Sequence, residues 1–250
     1  MLELQNICKT YRQGNHTVTA AKDVSIEIRE GMITGLIGPS GCGKTTLSRI
    51  AMKLIPPDSG RIIFDGDDVT EMNRRRFMPY RKNLQMVFQN PYASLDPMHT
   101  MRWSLDEVYR EAGKKSPDYT ELCNRFEVPM DILDRRPLMV SGGEMQRISI
   151  MRSTSFGSKY LILDEPTSML DVSTQASIMG IFTEMMDSNP DRGMLLITHD
   201  LDLARACCSR LYIMNEGEII ESGTTEEVIS HPSTEFGAKY ISAYSRDISV

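Results

Sequence analysis

An α/β fold built on a parallel sheet is predicted by three observations. Short apolar runs recur at a length suited to strands buried on both faces, helical spacing fills the stretches between them, and a glycine-rich loop joins the first such run to a helix. In order along the chain, Leu2–Ile7 and Val24–Ile28 alternate as strands do, and a turn at Glu30–Gly31 follows. Met32–Ile37 is continuously apolar and stops at glycine. A helix is predicted from Gly43 to about Leu54, closed by Pro56–Pro57, and strand character resumes over Arg61–Asp65. Between Pro91 and Pro137 the spacing turns helical (Leu105, Val108, Ala112; Leu122, Phe126, Val128), which predicts an inserted helical subdomain. Strand and helix then alternate again: Tyr160–Leu163, Thr174–Asp187, Met194–Ile197 and Leu201–Cys208, followed by strands Leu211–Met214 and Glu218–Glu221. In such a sheet the ligand lies at the carboxyl ends of the strands.

Composition narrows the function classes. With 250 residues the chain is sized for one large domain, or one domain with an insertion, and needs no disulfide or metal staple. Uncharged stretches such as Gly31–Gly43 and Val172–Thr183 are too short to span a bilayer, so an integral membrane protein is excluded. The net charge of -6 argues against a protein whose main work is gripping phosphate backbone, and no nucleic-acid partner is expected. The basic run from Arg74–Arg76 to Arg81–Lys82 is read as a solvated face. No secretory signal opens the chain, and five cysteines without a CxxC pair read as reduced thiols of a cytosolic protein. Cys207–Cys208 and the 18 methionines are read as packing.

Gly38-Pro39-Ser40-Gly41-Cys42-Gly43-Lys44-Thr45 fits GxxxxGK[ST] between a buried strand and a helix, the context that gives this motif its meaning. The glycines let successive N–H groups converge on phosphate oxygens, and the helix N-terminus adds partial positive charge. Lys44 is expected to reach the β- and γ-phosphates, Thr45 to place a hydroxyl on Mg²⁺, and Thr46 to join the phosphate contacts. Tyr160–Leu163 is an apolar strand ending in Asp164-Glu165. It delivers Asp164 to the edge carrying the phosphate loop, where it can hold Mg²⁺, and places Glu165 to accept a proton from an attacking water.

Val140-Ser141-Gly142-Gly143-Glu144-Met145-Gln146-Arg147 precedes a further helical stretch, so Ser141, Gly142 and Gly143 offer a second anion site at a helix start. This segment resembles the LSGGQ signature of ATP-binding cassette (ABC) ATPases, and other motifs of that family occur in the expected order. Tyr11 matches the aromatic that stacks on adenine, Gln89 the Q-loop glutamine, Ser168–Asp171 the D-loop, and His199 the switch histidine. The resemblance implies a P-loop NTPase of ABC type with an N-terminal antiparallel β subdomain and an inserted α-helical subdomain. It implies ATP and Mg²⁺ as cofactors, with Gln89 also near the metal. It further implies two ATPase subunits, identical or paralogous, that sit head to tail with each ATP held between the phosphate loop of one and the signature of the other. Asp171 would link the two sites. The expected organisation is a single domain over 1–250, with the core in 1–89 and 158–230, the helical subdomain over about 90–157 and a short tail over 231–250. Glu144 departs from the glutamine that members commonly carry, bringing negative charge toward a triphosphate.

Leu84–Pro97, Ser168–Ser173 and Glu226–Ile229 followed by His231-Pro232 are similar to the ATPase subunits of dipeptide, oligopeptide and nickel importers. That likeness implies a peripheral protein of the cytoplasmic membrane face that powers import of peptides or nickel complexes. Its implied partners are membrane permeases and, indirectly, an extracytoplasmic solute-binding protein. The competing expectation is a soluble ABC ATPase serving an enzyme complex, as in carbon–phosphorus lyase.

Overall fold

The computed structural model describes residues 1–14 and 16–245. In chain order its elements are β1 (Leu2–Gln13), β2 (His16–Ile28), β3 (Ile33–Ile37), α1 (Lys44–Ala51), β4 (Ser59–Phe64), β5 (Asp67–Asp68), α2 (Arg74–Arg81), β6 (Leu84–Val87), α3 (Met101–Glu111), α4 (Tyr119–Arg125), α5 (Gly142–Ser155), β7 (Tyr160–Asp164), α6 (Val172–Asp187), β8 (Gly193–Ile197), α7 (Leu201–Cys207), β9 (Arg210–Asn215), β10 (Glu218–Thr224), α8 (Thr225–Ser230) and α9 (Glu235–Ser245). They form two sheets, one of order β2-β1-β4-β5 and one of order β10-β9-β3-β8-β7-β6. The first is antiparallel. In the second, β9, β3, β8, β7 and β6 run parallel, and β10 closes one edge antiparallel.

The continuous apolar runs follow from burial on both faces. Leu161 and Leu163 point into a core filled from α3 to α7 by residues such as Leu105, Met145, Ile148 and Phe182. Tyr160 and Ile162, one residue out of phase, point into a second core with Leu47 and Ile50 of α1 and Leu2, Leu4 and Ile62 of the antiparallel sheet. The parallel sheet is therefore the shared wall between two cores, and all five residues of β3, β7 and β8 are buried.

Several elements differ from the expectation. β1 and β2 extend to Gln13 and back to His16, because register shifts between Leu4 and Thr10 interrupt the alternation that marks a strand in sequence. α1 stops at Ala51, where Lys53 takes a left-handed conformation (φ 51°). The basic run Arg74–Arg81 is helix α2, N-capped by Asn73 and anchored by buried Phe77, while Arg74, Arg75 and Arg76 remain exposed as expected. Leu84–Val87, legible only as part of a motif, is the edge strand β6. Much of the expected tail is helix α9: buried Glu221 of β10 accepts from the N–H groups of Ser233 (3.1 Å) and Thr234 (2.6 Å) and from both hydroxyls, which pins the helix start. Residues 246–250 of that tail lie outside the described residues. Among the described residues no helix is long and apolar enough to cross a membrane.

Candidate active site

The phosphate loop leaves β3 at Ile37 and enters α1 at Lys44. Only glycine suits position 43: its φ is 117°, and a Cβ there would lie 2.0 Å from the Ala20 carbonyl oxygen of β2. Lys44 is buried, and its Nζ donates to the carbonyl oxygens of Gly38 (2.7 Å) and Pro39 (2.9 Å), curling the ammonium under the loop. Cys42 is buried with its Sγ 3.8 Å from Lys44 Nζ, and its side chain does not line the cleft that opens above the loop. Above the loop opens a cleft of about 370 Å³ lined by Tyr11, Val18, Ala20, Ser40, Gly41, Gly43, Lys44, Thr45, Thr46, Gln89 and Glu165. Gly43→Ala is expected to lower stability by about 3 kcal/mol, since the methyl meets main chain that cannot step aside. A melting point lower by roughly 6–12 °C together with lost nucleotide binding would verify this.

β7 carries Asp164 to its last residue, where the side chain is 2% exposed. Ser48 Oγ lies 3.1 Å from its Oδ2 and 2.9 Å from Thr45 O, sharing its one proton between the two, and Thr45 Oγ1 donates to Oδ1 (3.5 Å). Burial pushes this carboxyl above the usual range, opposed in part by the two hydroxyls. Ser48 escaped the sequence reading, although it stands three residues beyond Thr45 on the same helix face.

Glu165 occupies the left-handed region (φ 48°), a conformation that costs a non-glycine residue roughly 1–2 kcal/mol. Its N–H continues the sheet to Ile197 O (2.9 Å), and the bend turns the side chain off the strand line. There Gln89 Nε2 donates to Oε2 at 2.8 Å, and His199 Nδ1 lies 3.3 Å from Oε1. The three residues follow β6, β7 and β8, adjacent strands of the sheet, so neighbouring carboxyl ends bring together groups 76 and 34 positions apart.

The signature residues stand elsewhere. Ser141 N-caps α5, and Glu144 completes a capping box. None of Ser141, Gly142, Gly143 and Glu144 lines the phosphate cleft of the same chain. The two glycines pack toward Met169 and Leu170, so the signature and the 168–171 loop form one surface. Gln146 locks it there by donating to Pro166 O (2.7 Å), a buried contact that no motif announced. Asp171 caps α6, accepting from Thr174 N (3.0 Å), Thr174 Oγ1 (2.8 Å) and Ser173 Oγ (2.6 Å), which together hold its carboxyl well below the ordinary range.

A phosphate loop, a buried strand-end aspartate, an adjacent glutamate and a separate capped signature helix now stand in one chain. Residues 21–168 match the family described as ABC transporter. The chain belongs to the ABC transporter family. It is 33% identical to the oligopeptide transport ATP-binding protein OppF of Streptococcus mutans, an alignment covering 97% of this chain and 81% of that protein. It is 34% identical to the methionine import ATP-binding protein MetN of Vibrio vulnificus, covering 96% and 70%. The ATP-binding cassette MJ0796, solved as a dimer in a post-hydrolysis state bound to ADP and Pi, superposes with a TM-score of 0.81 at 26% identity, covering 90% of this chain and 99% of that one. This ABC protein is therefore an ATPase, with the α/β cassette fold expected of it.

Proposed function

We propose that this ATPase powers import of peptides from the cytoplasmic face of a membrane, as one member of a head-to-tail pair. The observation that carries the proposal is the separation of the signature from the phosphate cleft of its own chain, which leaves each half needing a complement from a second cassette. The peptide and methionine importers named above support an import role. The oligopeptide relative favours peptides as cargo, whereas nickel complexes draw no support from those relatives.

In the proposed cycle Tyr11, 40% exposed at the cleft mouth, stacks on adenine. The loop from Gly38 to Gly43, with Lys44 and Thr46, holds the phosphates. Mg²⁺ suits the residues present. Asp164 is a buried carboxyl with hydroxyls for partners and no ion pair among the described residues, Arg49 adding only a minor favourable charge; the donors are hard oxygens, and no cluster of three or more acidic, His or Cys ligands exists among the described residues to cage a metal without phosphate. When bound, the ion would neutralise charge on the β- and γ-phosphate oxygens. Glu165 accepts the proton of the attacking water, Gln89 and His199 orient that carboxylate and sense the γ-phosphate, and Asp171 touches the partner across the pair. Ser141 with Gly142 and Gly143 of the second cassette donates to the γ-phosphate only while ATP is intact, so cleavage opens the pair.

Docking to the permeases is proposed for the cleft of about 610 Å³ between α2 and the carboxyl ends of α3 and α5, lined by Leu54, Met78 and Phe156 with Arg74, Arg81 and Lys82 at its rim. It borders β6, the strand that leads into Gln89, so nucleotide state and docking share one element. A tagged copy is expected to co-purify from membranes with hydrophobic permeases, and Arg81→Glu with Lys82→Glu to lose them while still dimerising on ATP. Recovery of a soluble enzyme complex instead would overturn import.

A further inference from the structure

The signature helix already holds an anion of its own. Glu144 Oε2 accepts from the Ser141 N–H at 2.8 Å and from the Ser141 hydroxyl at 2.8 Å, while the Glu144 N–H donates back to Ser141 Oγ at 3.3 Å. A serine hydroxyl has one proton to give, so a hydroxyl donating to Glu144 has none for a phosphate. The carboxylate also sits in the first turn of α5, a helix of 14 residues, where unpaired N–H groups and the helix dipole draw negative charge.

We propose that Glu144 gates the signature: its carboxylate holds the Ser141 donors that the partner's γ-phosphate requires, and it must swing away before the ATP-bound pair can close. This rests on the sandwich reading above and adds its regulation. The gate has two parts. One is competition for the Ser141 proton, and the other is repulsion between the carboxylate and the incoming γ-phosphate. Both bonds from Ser141, with lesser help from Arg135 and Arg147, hold the Glu144 carboxyl below its ordinary range. The group therefore stays anionic at neutral pH and clears the site by rotating rather than by taking up a proton. Glutamine in its place keeps one acceptor for the Ser141 N–H, removes the charge and offers a donor of its own. The consequence is a threshold: closure waits for more ATP than the same cassette with a neutral side chain would need. Glu144 acts here as a positioning residue, through Ser141.

The test uses full-length protein carrying Glu165→Gln, which holds ATP uncleaved, and reads the ATP concentration at half-maximal dimerisation by light scattering. Adding Glu144→Gln should lower that concentration about 5- to 20-fold, from the loss of one charge close to a phosphate. The gap should narrow at high salt. Glu144→Ala separates the gate from a simple helix cap. It loses the capping acceptor and melts earlier, yet it also frees Ser141, so its threshold should fall below that of the Glu144 protein. An unchanged or raised threshold for Glu144→Gln overturns the gate, and a raised threshold for Glu144→Ala reduces the residue to a cap. A Glu165→Gln parent that stays monomeric at saturating ATP overturns the sandwich, and the gate with it.

Discussion

Glu165→Gln is expected to bind ATP, lose turnover by about 10²- to 10⁴-fold and accumulate as a closed dimer. Among the described residues the carboxylate is the one anionic group lining the cleft; it stands beside Gln89 and His199 and is turned off its strand by a left-handed backbone. Glutamine keeps the size of the side chain and still offers an oxygen to Gln89 Nε2, so folding and nucleotide affinity persist while the proton acceptor is gone. Nucleotide titration, steady-state phosphate release and light scattering with ATP would measure the three properties on one preparation. Turnover at the wild-type rate would remove the general-base role. Normal turnover loss without a dimer would instead separate chemistry from association.

Asp164→Asn is expected to abolish ATP hydrolysis and, without nucleotide, to raise stability. The carboxyl is 2% exposed, with two hydroxyls for partners, no ion pair among the described residues, and Arg49 only as a minor favourable charge, so its ionised form is poorly compensated. Asparagine keeps an acceptor for Ser48 and removes the buried charge. The gain should be about 1–2 kcal/mol, or roughly 2–8 °C in melting point. Burial raises the carboxyl's folded pKa above its unfolded value near 4, so the unfolded chain ionises first as pH rises. The neutral carboxyl's contribution is complete below the unfolded pKa and is lost as pH climbs through the folded one. The melting-point difference between variant and wild type should therefore be small near pH 4 and widen toward neutrality. A difference independent of pH, or an equally active variant, would refute the assignment. Such a trade of stability for charge placement is common where a site must hold a cation.

Most of the fold was legible because its strongest signals are local. Tyr160–Leu163 and Met194–Ile197 are apolar without interruption since both faces of the sheet are covered, and the turn after Ile37 declares itself through Gly38, Gly41 and Gly43. α2 was illegible: half of its eight residues are exposed arginines around one anchoring phenylalanine, and Pro79 sits inside the helix. The full length of β1 and β2 was hidden by bulges that break the alternation a strand shows in sequence. α9 owes its place to Glu221, a single acidic residue that looks like any solvent-facing glutamate until its four bonds to Ser233 and Thr234 are seen. The site divides the same way. Lys44, Asp164 and Glu165 announce themselves by spacing, whereas the contacts of Ser48 with Asp164 and of Gln146 with Pro166 join residues far apart in the chain.

The order of residues alone supplied the parts from which the site is read: a loop that fits GxxxxGK[ST], a strand that ends in two carboxylates, and a helix that opens on Ser141, Gly142 and Gly143. Tertiary structure decided which of these face one another. Sheet order sets Gln89, Glu165 and His199 side by side, while the same packing leaves Ser141, already held locally by Glu144, outside its own chain's cleft. The reason is that backbone conformation and burial pattern are written in neighbouring residues. The meeting of two side chains depends on which strands pair and which helix ends stay uncovered, and that is settled only when the cores close.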